Sequence, residues 1–225
     1  MADFKTQVEN LISFTVPADD IVQLNQFLKD GVIDVTKKCI DYNPSEVNSF
    51  LRESPEQIQN NVLDLNGARI ISVIRENGAN DEWRRCNPIP ISSQYDVTDE
   101  ESLNYASKIH PAYTIGDNGR ISVFPVPSSG GSNSFKVHYV NNVPVNNNGE
   151  ELINEHSNIK YFPSDKVYLV VLYAAIEQLS AKMQTYLITD EDVELVTSMA
   201  SNLSALKAEY TSAFINQSKV QEAKA

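Results

Sequence analysis

Three histidines, two cysteines, one tryptophan beside two arginines and several carboxylate runs are the residues whose types could do chemistry. His110, His138 and His156 stand far apart and fall in different segments. Neither an HExxH pair nor the Cys/His spacing of a zinc site is present. His138 lies in an alternating run, where a half-exposed sheet histidine is a plainer reading than a metal ligand. Cys39 and Cys86 belong to no CxxC pair and read as free, buried thiols of a reducing compartment. The stretch GDNG at 116–119 lacks the alternating oxygen ligands and closing Glu of a calcium loop, so it reads as a turn. In DEESLNYASKIH, carboxylates stand near His110. Thr98 followed by Glu101 is a capping box, which makes this segment a capped surface helix ending near Ser107. Trp83 with Arg84 and Arg85 suits a protein–protein contact better than a phosphate site. Phosphate loops of the GxxxxGK[ST] or GxGxxG type are missing. No catalytic, cofactor-binding or metal-ligating residue is therefore singled out, and no cofactor is expected. A triad assembled only in space would leave no such trace.

The elements that must position these residues follow from composition and patterning. The chain has 225 residues, 41% of them hydrophobic and 21% charged, enough apolar material for a folded core. A net charge of −12 without any basic run argues against a sequence-specific nucleic-acid binder, which needs clustered Lys and Arg. The N-terminus, MADFKTQVENLISF, lacks the basic and apolar regions of a signal peptide. The longest apolar run, VYLVVLYAAI between Lys166 and Glu177, is far short of the roughly 20 residues that span a bilayer, so no membrane partner is expected.

Helical spacing places Phe4, Val8, Leu11 and Ile12 on one face of a first helix over 3–13, ended by Pro17. Asp19 or Asp20 caps a second, whose stripe is Ile21, Leu24, Leu28, Val32 and Val35, with Phe27 and Ile40 flanking. Gly31 within it marks close packing or a bend, and Lys37 and Lys38 suit its negative pole. Short helical turns are expected at 43–58, with Ser45 as a cap and Pro55 opening a turn. VLDL-NG-ARIISVIR then reads as a hairpin through Asn66 and Gly67. The segment CNPIPISSQY reads as extended. A second hairpin turns at 116–119, and FKVHYV is a strand with Phe135, Val137 and Tyr139 on one face. Ser164 caps a helix that must be surrounded in its first half, between the 19–41 helix and the 190–215 helix. Thr189, followed by Asp190, Glu191 and Asp192, caps the last helix, with Val196, Met199, Leu203, Leu206, Tyr210 and Ala213 at three-four spacing. The tail from 216 reads as loose or ordered by a partner. The expected fold class is α+β. A helical bundle of N-terminal helices plus two C-terminal helices (1–60 and 151–225) carries an inserted antiparallel β region (61–150) with long polar loops.

Three segments resemble a known family. DDIVQLNQFLKDGVIDVTKK is similar to the early helix of tailed-bacteriophage head–tail connector (adaptor) proteins. GRISVFPVPSSGGSNSFKVHYV resembles a strand–loop–strand of such virion proteins, and FPSDKVYLVVLYAAIEQLSAKM the helix that follows. The resemblance implies a non-enzymatic virion protein. Such an adaptor forms a homo-oligomeric ring, commonly of twelve subunits, in the neck between portal protein and tail. Its partners are the portal and the next tail component (tube, nozzle or neck protein). DNA passes through the channel without specific binding, and assembly takes place in the host cytoplasm. The alternatives are a tail-tube or neck protein further along the tail, a non-viral α+β protein-binding module, and an enzyme with a cryptic site.

Overall fold

The structure, a computed structural model, describes residues 2–63, 65, 67–78, 82–116, 119–130, 132–140, 143–189 and 193–222. The chain is α+β and divides into two compact units, residues 1–50 with 143–225 and residues 51–142. No helix among the described residues is long and apolar enough to cross a membrane.

The first unit is helical: α1 (Phe4–Ile12), α2 (Ile21–Tyr42), α4 (Val167–Thr189) and α5 (Val193–Glu222). Asp3 caps α1 by accepting from the Thr6 amide at 2.7 Å, and Ser13, at φ 61°, ends it in the left-handed region. Phe4, Val8 and Ile12 are buried, as their spacing predicts, while Leu11 is only partly so. α4 packs against α1, α2 and α5. That explains its lack of a polar face: Leu169, Val170, Val171, Leu172, Ala174, Ala175, Ile176 and Leu179 are all buried. Gly31 is the point of closest approach. A Cβ there would lie 3.1 Å from Tyr173 Cδ1 and 3.2 Å from the Val170 carbonyl oxygen, so only glycine lets α2 sit this near α4. From α5, Met199, Leu206, Tyr210 and Phe214 turn inward. The Tyr210 hydroxyl donates to Asp34 at 2.5 Å, and Lys38 pairs with Asp34 at 2.7 Å while standing over the Tyr210 ring.

The second unit holds β1 (Arg52–Glu53), β2 (Arg69–Glu76), β3 (Trp83–Arg85), β4 (Asn87–Pro88), α3 (Gln94–Thr98), β5 (Ala112–Ile115), β6 (Ile121–Phe124) and β7 (Phe135–Val140). One sheet has the order β1-β7-β2-β3 and is antiparallel throughout. The other runs β4-β5-β6, and its short β4–β5 pair is parallel. Val73, Phe135 and Val137 from the first sheet share a core with Tyr113, Ile121 and Val123 from the second. The outer edge of β6 is closed by a side chain. The Asn60 amide accepts from the Val123 N–H at 2.9 Å and donates to its carbonyl at 3.0 Å, the two bonds a neighbouring strand would make.

Several expectations are corrected. Val62, Leu63 and Leu65 form no strand. β2 pairs with β3 and β7, so Gly67 (φ 78°) turns the chain into β2 without closing a hairpin, while Asn66 lies outside the described residues. Residues 44–50 form a 3-10 helix, and Asn43 rather than Ser45 supplies the capping oxygen, accepting from the Ser45 amide at 3.2 Å. The turn expected at Pro55 is replaced by an isolated bridge from Gln57 to Phe135. The segment after Pro88 is not extended, because 91–93 form a 3-10 turn leading into α3. The capping-box helix is inverted: α3 ends at Thr98, whose hydroxyl donates back to Tyr95 at 2.9 Å, and 99–107 form no helix. Local hydrogen bonding by Thr and Asp competes with helix here. Neither Asp20 nor Ser164 makes a side-chain cap bond, each lying in a 3-10 turn that leads into the helix. Lys37 and Lys38 are not in the last turn of α2, which runs on to Tyr42. Asp190, Glu191 and Asp192 lie outside the described residues, and Thr189 closes α4. The tail is not a loose segment throughout, since α5 continues to Glu222.

The unit boundaries fall earlier than 60/61 and 150/151. Arg52 and Glu53 pair with Tyr139 and His138, which brings the residues after Phe50 into the β unit. At the other end Val145 accepts from the Lys160 amide at 2.9 Å and Lys29 pairs with Glu151, which ties this loop to the helices.

Candidate functional site

The three histidines stay apart in their bonding. His110 is exposed on the wall of a cleft. His156 sits in a loop, its Nδ1 accepting from the Ile153 amide at 3.2 Å and its Nε2 lying 3.0 Å from Asn146 Nδ2. Both cysteines are free and buried. Burial pushes the Cys39 thiol up to about 11 and the Cys86 thiol up to about 12, so both are protonated at neutral pH and neither is a ready nucleophile. The residues at 117–118 of the GDNG turn lie outside the described residues; Gly116 and Arg120 close the β5–β6 hairpin through a 2.8 Å backbone bond. Among the described residues no group of three or more His, Cys, Asp or Glu could hold a metal ion.

His138 has a setting that the linear pattern did not reveal. It lies on β7, between β1 and β2, with Glu53 directly opposite on one side and Ser72 on the other. The pairing of β2 with β7 slips between Ile70 and Ser72. Without that bulge, continued pairing from Ile70 and Tyr139 would put Ile71 opposite His138. With it, Ser72 Oγ is 3.0 Å from His138 Nδ1, and His138 Nε2 is 3.2 Å from Glu53 Oε2. One tautomer satisfies both contacts: Nε2–H donates to Glu53, and Nδ1 accepts the Ser72 hydroxyl proton. The other oxygen of Glu53 is 3.3 Å from Lys136 Nζ, which also pairs with Glu56 at 3.4 Å and stands 4.7 Å over the Trp83 ring. The Lys136 ammonium, with His138 in support, holds the Glu53 carboxyl below its usual range. Burial works against the Lys136 charge, but Glu53 and Glu56 outweigh it and raise that group. Trp83 thus belongs to this polar rung, and Arg84 and Arg85 remain exposed. Sequence reasoning missed the rung because Glu53 was assigned to a helical turn and no local signal marks the bulge.

The second feature is apolar. Among the described residues, nine large hydrophobic side chains of the β unit are exposed, and five of them fall within residues 91–109: Ile91, Tyr95, Leu103, Tyr105 and Ile109. Leu103 is fully exposed. Two of them, Leu103 and Tyr105, line an open cleft of about 480 Å³ together with Ile89, Val97, Ala106 and His110 among others. Ile91 lies in the 3-10 turn at 91–93 and Tyr95 in the short α3, and Leu103, Tyr105 and Ile109 in the irregular segment that follows, while Val97, Ala106, Ala112 and Phe124 form a small core.

No family model and no curated protein matches the chain.

Proposed function

We propose that this chain is a non-enzymatic head–tail adaptor of a tailed phage, a virion neck protein that assembles as a ring between portal and tail. The observation that carries the reading is the concentration of exposed apolar side chains at 91–109. A lone subunit gains nothing by holding Ile91, Leu103 and Ile109 in water, whereas a neighbouring copy in a ring would bury them. The net charge of −12 suits a wall past which DNA must move without sticking. The three similar segments support this reading, and α2 and α4, which carry two of them, form the packed centre of the helical unit. A tail-tube protein fits less well, because strong helices bracket the β unit.

The test mixes purified protein with a purified portal ring and measures particle mass and symmetry by native mass spectrometry and electron-microscope averages. The adaptor reading expects a defined ring on the portal. A chain that stays monomeric and never joins the portal would overturn it and favour a small protein-binding module.

A further inference from the structure

We propose that the exposed surface of residues 91–109 receives the outer edge of β3 from a second copy of this chain, with Arg84 and Arg85 as the residues that dock there. This contact rests on the ring assembly proposed above and names the two faces that meet in it. The receiving surface combines two chemistries. Tyr95 and Tyr105 present exposed rings beside the exposed Ile91, Leu103 and Ile109. Asp96, Glu100 and Glu101 are exposed in the same segment, and among the described residues none of the three pairs with a cation. Lys108 is the one Lys or Arg between 91 and 109. Aromatic rings beside unpaired carboxylates match a guanidinium, which stacks on a ring face and donates in a fixed fork to a carboxylate. An ammonium, compact and strongly hydrated, matches that pairing less well.

The chain itself supplies that chemistry. It has two adjacent basic pairs, Lys37–Lys38 and Arg84–Arg85. In the first, Lys38 is held by Asp34 at 2.7 Å and stands over the Tyr210 ring. In the second, both side chains are exposed. Among the described residues Arg84 pairs only with Glu82, at 4.0 Å, and Arg85 forms no ion pair. β3 is the outermost strand of its sheet, and successive side chains of a strand point to opposite faces, so the two guanidiniums flank that edge. Within one chain neither arginine pairs with Asp96, Glu100 or Glu101. Two complementary patches left unsatisfied in the same chain are what a head-to-tail contact needs. Each copy offers its β3 edge to one neighbour and its 91–109 surface to the other. A chain of net charge −12 repels its own copies over most of its surface, so the contact favours the place where the sign inverts.

A charge-swap experiment on the full-length chain tests the contact, read by sedimentation and native mass spectrometry with and without a purified portal ring. One variant carries Arg84→Glu and Arg85→Glu, the other Glu100→Lys and Glu101→Lys. All four positions are solvent-facing, and melting curves on the same samples show that each variant is folded. Each variant alone should associate about 10²-fold or more weakly than wild type, because like charges then face each other. An equimolar mixture of the two should assemble again, since each reversed patch meets its complement on the other variant, and the particle mass should show equal numbers of both. Arg84→Lys with Arg85→Lys should assemble less well than wild type and better than the reversal. Raised salt should weaken the wild-type contact. Wild type that forms particles while both reversed variants assemble as fully, or reversed variants that mixing does not rescue, overturns this contact and leaves the ring reading standing. Wild type that stays a single chain even beside the portal overturns the ring reading and this contact with it.

Discussion

The two units use apolar residues in opposite ways. The helical unit takes the most hydrophobic run of the chain and encloses it: α4 is buried along its first half by α1, α2 and α5. The β unit has shorter elements and leaves Ile91, Tyr95, Leu103, Tyr105 and Ile109 outside. Charge divides unevenly as well. The helical unit carries ten basic and nineteen acidic side chains, net −9, and the β unit eight and eleven, net −3. A strongly acidic helical surface favours solubility and repels polyanions, while a weakly charged, apolar surface favours protein contact. Hydrophobicity along the sequence therefore does not locate exposed apolar surface; here such surface falls on short elements that their neighbours do not wrap.

That contrast can be broken at its largest effect first. Replacing Leu172, fully buried in α4, by Ala should cost about 3 kcal/mol, read from urea unfolding. A loss under about 1 kcal/mol would mean that α4 is not the packed centre. Gly31→Val should follow, at about 2 kcal/mol, because its side chain must displace Tyr173 or the Val170 backbone. In the β unit, Asn60→Ala removes both of its side-chain bonds to Val123 on the β6 edge and leaves the Asn61 amide on the Ile121 carbonyl. It should cost about 1–2 kcal/mol and speed hydrogen exchange at the Val123 amide, and unchanged exchange would remove the edge-closing role. Leu103→Ser should change stability by less than about 0.5 kcal/mol, since the side chain touches nothing it needs in the isolated chain.

The smallest effect is that of pH at Glu53. Its folded-state carboxyl is held low, so the stability it contributes is present above the usual carboxylate range and is lost as pH falls through the folded value. The carboxylate is about half exposed, so solvent screens the gain. Thermal melts of wild type and Glu53→Gln should differ slightly at pH 7 and converge in acid. A difference that grows on acidification would contradict the ion pairing.

Much of the helical unit was legible from spacing alone. The stripe of α2 and the surrounded nature of α4 are properties of 3.6-residue periodicity, and that period survives packing. Phe214 was passed over in favour of Ala213, yet it is buried and stacks edge-on against Tyr210, because an aromatic one position along reaches the same groove. The β unit was less legible, because its pairings are non-local. Arg52 and Glu53 find β7 more than eighty residues away, and that choice depends on register rather than on any neighbouring residue. A turn is present at Gly67, but the linear signal could not say which strand would pair beyond it. The polar rung at His138 needed both a two-residue edge strand and a bulge, and neither leaves a mark in the linear pattern. The exposed cluster at 91–109 was hidden because its segment was expected to be extended and then helical.

The most direct test of the account is the sedimentation of wild type beside Leu103→Ser and Ile91→Ser at equal concentration, with melting curves taken on the same samples. The account predicts that wild type sediments as a defined multi-subunit particle, while the two variants sediment as the 25.1 kDa chain with unchanged melting. Wild type that remains a single chain at every concentration, or variants that assemble as fully as wild type, would contradict it.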